Sequence, residues 1–176
     1  MIDKERRQKL AFHLRHLAIG LISNDDFESN ILDDVSFGWL PEQYYRSKEA
    51  ESDDPIIRPM LELSWGLYSD LENHKLTGDD KLTDEQLKDI TRFILFLYSD
   101  FEYEWPYFDP TSPLIRFSFK DLLLSALTLG QHYREKVAER QQQFEEFKIV
   151  GDYDYWPFIS KEQYEKQLKN QPFLVG

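Results

Sequence analysis

The stretch Thr83-Asp84-Glu85-Gln86-Leu87-Lys88-Asp89-Ile90-Thr91-Arg92-Phe93-Ile94-Leu95-Phe96-Leu97-Tyr98-Ser99 decides the fold class. Thr83 and Gln86 stand at capping-box spacing, where each side chain satisfies the other residue's orphan amide. Leu87, Ile90, Ile94 and Leu97 then recur every three or four residues, the periodicity of one helix face. Between Phe93 and Tyr98 the residues are apolar nearly all round, which predicts the central, most buried helix.

Reading toward the N-terminus, Lys75 to Lys81 is a turn built on Gly78-Asp79-Asp80. Before it, a helix carries Leu61, Ser64, Leu67, Tyr68 and Leu71 on its inner side and runs to Asn73. Pro55 suits a first helical position, but Pro59 would then remove an interior hydrogen bond, so the regular helix is expected to start near Pro59. Ser47 to Asp54 reads as a polar, acidic linker, and Pro41 opens a short segment through Tyr45. The first helix is expected from about Lys4 to Gly20, with Leu10, Leu14, Leu17 and Leu21 as its stripe. Ser23 can cap a second helix that buries Phe27, Ile31 and Val35 and stops near Ser36-Phe37-Gly38.

Toward the C-terminus, Pro106, Pro110 and Pro113 enforce a non-helical connection. Ser118 to about Phe147 reads as one long helix whose second half, Arg134 to Glu146, is very polar. A second proline-punctuated aromatic segment, Tyr153 to Phe158, precedes a short helix capped by Ser160 and Gln163. These readings give an all-α fold, an irregular bundle of about five to six helices with two proline- and aromatic-rich loops. One domain spans 1–176, with 148–176 as an aromatic-rich C-terminal extension packed on it. Leu67-Tyr68-Ser69-Asp70 echoes Leu97-Tyr98-Ser99-Asp100, which reads as a shared way of ending a helix rather than a repeat.

Thirty-three acids against 21 bases give a formal charge of −12. So negative a chain repels nucleic-acid phosphates and anionic lipid heads, and favours a basic protein, a cation or simple solubility. The absence of cysteine excludes disulfides, thiolate zinc sites and cysteine nucleophiles. Met1 to Arg7 is charged, with no signal-type apolar block after it, and the longest apolar run is too short to span a bilayer. The expected location is the cytoplasm.

The charge is unevenly spread. Between Arg15 and Arg46 there is no Lys or Arg, and Asp25, Asp26, Glu28, Asp33 and Asp34 fall there. Between Arg92 and Arg116 the same holds, and acids alternate with aromatics through Asp100, Glu102, Tyr103, Glu104 and Trp105. Asp152, Tyr153 and Asp154 repeat the style. Tyr and Trp supply contact area at low entropic cost while carboxylates orient Arg and Lys, so these residues are the candidate partner-binding set. The competing reading turns Tyr103, Trp105 and Trp156 inward and leaves only the acids in water.

Enzyme signatures fail in turn. Glycine-rich dinucleotide and phosphate loops, the Gly-x-Ser-x-Gly elbow and the His-Glu-x-x-His helix are all missing. His13 and His16 share a helix at a spacing that could place two imidazoles on one ligand, but no third ligand follows locally. His74 reads as a cation at a helix C-terminus and His132 as a partner of a nearby carboxylate such as Glu135. No metal, cofactor or catalytic residue is assigned. The alternative to an interaction module is a small metal- or ligand-binding helical protein or enzyme with a pocket under the 100–117 loop.

The stretch Arg15-His16-Leu17-Ala18-Ile19-Gly20-Leu21-Ile22-Ser23-Asn24-Asp25-Asp26-Phe27-Glu28 resembles the opening of small bacterial helical proteins with no assigned activity. Leu71 to Gly78 and Tyr103-Glu104-Trp105-Pro106 share that look. The resemblance implies a bacterial cytoplasmic origin and carries no catalytic residue. In its acidic, small, helical character the chain is also similar to immunity proteins that neutralise basic nuclease toxins. The function expected is an acidic interaction module of immunity or antitoxin type acting on a basic protein. Self-association through the polar end of the long helix is a further expectation.

Overall fold

Local capping signals set most helix starts. In a computed structural model of the chain, the structure describes residues 1–36, 53–106, 128 and 131–170. Helix α1 (Lys4–Ala18) begins where Asp3 accepts the Arg6 amide, and α2 (Asn24–Asp34) begins at a Ser23/Asp26 capping box. The short α3 (Ile57–Trp65) follows a turn at Asp54. Helix α4 (Asp84–Leu97) starts at the Thr83/Gln86 box read from the sequence. Among the described residues, helices α5 (Gln131–Lys148) and α6 (Lys161–Asn170) follow, with a 3₁₀ turn at Tyr153–Tyr155 between them. Among the described residues the fold is all-α, with one isolated β-bridge between Ser23 and Lys75.

Helix α1 packs on α2, α3 and α4, and α4 also carries α6. Leu10, Leu14 and Leu17 of α1 meet Phe27 and Ile31 of α2 and the run Phe93 to Leu97 of α4 in one buried cluster. As its all-round apolarity predicts, α4 buries every residue from Phe93 to Leu97. The 148–176 segment is integral to this core as far as it is described: Phe158 is fully buried and packs edge-on against Phe96 and Phe101.

Four details depart from the sequence expectation, each for a physical reason. Helix α3 starts at Ile57, so Pro59 is its third residue; the first four amides of a helix have no intrahelical partner, and the proline costs no bond. That helix ends at Trp65 rather than Asn73, which leaves Leu71 exposed and takes His74 away from any helix end. Leu21 is exposed because α1 stops at Ala18 and Gly20 adopts φ +69°, breaking the helical phase of the leucine stripe. A Cβ on Gly20 would also meet the Thr77 methyl at 2.4 Å. Finally, Thr128 lies in a turn and its hydroxyl accepts the His132 amide, so the helix ending at Lys148 begins at Gln131. The expected segments at 41–45 and 118–127 lie outside the described residues.

The supposed linker holds the largest surprise. Asp54 is buried and takes a bidentate pair of bonds from Arg7, Nε to Oδ2 at 2.6 Å and Nη2 to Oδ1 at 2.9 Å. The third guanidinium nitrogen donates to the Phe101 carbonyl at 2.8 Å, and the group lies 5.3 Å from the Phe96 ring centroid. One arginine thus ties α1, the turn before α3 and the segment after α4. Beside it, Arg6 bonds the Val35 carbonyl and pairs with Asp53.

Candidate functional site

After α4 the chain leaves the helix, and burial alternates residue by residue, as it does where successive side chains point to opposite sides. Glu102 and Glu104 are accordingly exposed while Tyr103 and Trp105 are buried. Trp105 donates its indole N–H to the Phe158 carbonyl at 3.2 Å, and the Trp156 indole donates to the Tyr103 hydroxyl, also at 3.2 Å. Burial pushes the Tyr103 phenol well above its usual range. Both aromatics therefore belong to the core and offer no area to a partner, which corrects their place in the candidate set. Of the acids here, Asp100 pairs with Lys4 at 2.5 Å and Glu104 accepts from Gln163 at 3.0 Å.

The other acidic region forms one half of a helical hairpin. Asn24 fixes its base: the Asn24 carboxamide oxygen accepts the His74 amide at 2.7 Å and its nitrogen donates to the Glu72 carbonyl at 3.2 Å. Asp26 is occupied as the capping partner of Ser23, whose backbone and hydroxyl bonds hold its carboxyl below the usual range. Glu28 accepts from the Tyr68 hydroxyl at 3.1 Å, and partial burial pushes its carboxyl upward. Asp25 and Asp33 are exposed.

At the far end of α2, Asp34 meets His13 of α1, with Nε2 to Oδ2 at 2.7 Å. An ionised carboxylate can only accept, so Nε2 carries the proton of this bond. Together with Lys9 at 3.6 Å, that bond holds the Asp34 carboxyl below its usual range. His13 is buried by this arrangement, whereas Phe12 beside it is 53% exposed and meets the His16 ring edge-on at 4.0 Å. Farther along, Ile19 and Leu21 are 54% and 55% exposed. The hairpin thus has three large exposed apolar side chains on α1 and the turn after it, and its second helix carries four aspartates, one glutamate and no base. The acids and the base gap were legible in the sequence; Phe12 and Ile19 were missed because they lie opposite the leucine stripe, where polar residues are the norm.

A third location lies where α4, α5 and the 153–158 segment meet. Phe93 and Trp156 pack edge-on at 5.2 Å, and Phe144 and Phe147 of α5 close on Tyr153 at 5.8 Å and 6.1 Å. These rings, with Leu63, Asp89 and Arg92, line a partly open cavity of about 230 Å³. Gly151 lets the chain turn into this corner, since a Cβ there would meet the Ile159 carbonyl at 2.5 Å. Tyr153 is therefore a wall of the cavity as well as part-exposed, while Asp152 and Asp154 face solvent. Burial raises the Tyr153 phenol.

The candidate residues do not form one surface. Asp100 sits at the first turn of α1 through Lys4, Asp34 sits midway through His13, and Asp25 follows the turn beyond its last residue. A helix of this length separates the two extremes by about 20 Å. His13 and His16 do not converge with Glu102 or Glu104; among the described residues no group of three or more His, Asp or Glu is placed to hold a metal ion. Nor is any helix among them long and apolar enough to cross a membrane. No protein-family model, curated protein or solved structure matches this chain.

Proposed function

We propose that the chain is an acidic protein-interaction module of a bacterial cytoplasm, an inhibitor of immunity or antitoxin type, and that the α1–α2 hairpin is its docking face for a basic protein. The observation that supports this reading is the exposure of Phe12, Ile19 and Leu21 on the same hairpin as the base-free, aspartate-bearing α2. Apolar anchors supply the desolvated centre of an interface, and carboxylates around them steer and orient Arg and Lys on the partner. Asp25 and Asp33 are the acids best placed for that role; Asp26 is engaged as a cap and Asp34 by His13 and Lys9.

The test compares three forms of the protein in affinity capture from source cells at low and moderate salt. Wild type is expected to retain a basic protein whose recovery falls as salt rises. A Phe12→Ser/Ile19→Ser variant and an Asp25→Lys/Asp33→Lys variant should both lose it, and an Asp152→Lys/Asp154→Lys variant should keep it. Retention by both hairpin variants would remove this face from consideration.

A further inference from the structure

We propose that the cavity between α4, α5 and the 153–156 turn is a binding site for a small planar aromatic carboxylate. Its walls are ring faces and edges from Phe93, Phe144, Phe147, Tyr153 and Trp156, the lining that receives a flat apolar body. Its volume of about 230 Å³ sets the size. A cavity of about 150 Å³ lined by apolar side chains holds benzene, so this one accommodates one ring with a carboxylate, or a compact bicycle, and excludes a nucleotide.

The charges at the rim set the polar end of the ligand. Arg92 donates through Nε to the Trp156 carbonyl at 2.6 Å and through Nη2 to Asp89 at 2.7 Å. Those two bonds fix the guanidinium plane and leave Nη1 without a hydrogen-bond partner among the described residues. A pre-oriented guanidinium nitrogen at the edge of an aromatic cavity is a donor for a carboxylate, the acceptor that makes the strongest charge-assisted bond. A cationic ligand is disfavoured, because Arg92 and Lys148 already stand near the Phe93 and Phe144 rings, at 5.9 Å and 4.9 Å. The Asp89 carboxylate is half-exposed and bonded to Nη2, which limits its repulsion of an incoming anion.

The probe is 4-fluorobenzoate, followed by fluorine NMR of the probe and by the Arg92 Nε–H signal of isotopically labelled full-length protein. Saturable broadening of the fluorine line together with a shift of Arg92 Nε–H is expected. Arg92→Gln should weaken the carboxylate about tenfold or more while changing neutral 4-fluorobenzamide less than about twofold, the difference expected for one charge-assisted bond. Leu63→Trp, which enlarges a lining side chain into the cavity, should abolish binding of both. The Arg92 shift on wild-type protein keeps the test independent of whether that variant folds. No saturable response up to about 10 mM probe, or a response that bypasses Arg92 and survives in a folded Leu63→Trp variant, overturns the assignment. Neither outcome bears on the hairpin.

Discussion

The segment from Asp100 to Pro106 and the α1–α2 hairpin use the same vocabulary of acids beside aromatics and arrive at opposite surfaces. In this segment burial has a period of two, so Tyr103 and Trp105 go inward together and Glu102 and Glu104 go outward together. On α1 the period is 3.6, so the adjacent residues Phe12 and His13 part company, the aromatic ring into solvent and the imidazole into the core. The polar residue is the buried one there because Asp34 is in place to bond it. A polar residue next to an aromatic therefore carries no information about exposure until the backbone period and the partner element are known. The same contrast governs charge: Arg7 and Asp54 are wholly buried as a pair, whereas Lys4, one turn earlier on α1, and its partner Asp100 after α4 are mostly exposed.

The sharpest way to break this comparison is through Arg7. Arg7→Ala leaves Asp54 charged and buried without its partner, and should cost about 3 to 5 kcal/mol in urea denaturation. An Arg7→Met/Asp54→Leu double variant should cost less than either single truncation, since what is expensive is the orphaned charge. Lys4→Ala, by contrast, should cost at most about 1 kcal/mol. Trp105→Ala should lose about 3 to 5 kcal/mol by the same measurement, and a near-neutral result would return Trp105 to the surface. Ser23→Ala should remove about 1 kcal/mol through loss of the α2 cap.

Smaller effects sharpen the hairpin side. The Asp34 carboxyl is held below its ordinary value, first by the bond from His13 and then by the nearby charges. Its contribution is therefore fully present above the unfolded carboxylate value of about 4 and is lost as pH falls through the lower folded value. In denaturant midpoints measured from about pH 5 down to pH 2.5, Asp34→Asn should show a shallower acid loss than wild type. An unchanged slope would mean that this pair is not linked to folding. Phe12→Ser should change stability by no more than about 0.5 kcal/mol, because the ring is half in water. A loss of several times that value would show that the ring is structural and weaken its case as a docking anchor.

Much of the fold could be read directly from local signals. The Ser23 and Thr83 capping boxes, the Leu10-Leu14-Leu17 stripe, the Phe27-Ile31-Val35 face and the buried run of α4 all depend on residues within one or two turns of each other. The candidate site was less legible. The acid-rich, base-free stretch of α2 was visible, but Asp26, Asp34 and Glu28 proved to have local or tertiary partners. For Tyr103 and Trp105 the sequence leaves both sides open, because either reading of an alternating segment is consistent with its composition. The cavity beside Arg92 lay beyond sequence reasoning altogether, since its walls come from four separate stretches of chain.

By itself the sequence determined the fold class, the positions of most helix starts and the net charge, because these depend on spacing, caps and composition. Only the tertiary structure decided which charges are buried, which aromatics are exposed and where a cavity opens. Burial is a property of pairs of elements: Arg7 tolerates complete burial because Asp54 and the Phe101 carbonyl come to it from 47 and 94 residues away. No periodicity within α1 could announce that, since the desolvation of a guanidinium is offset only by partners the fold brings to it.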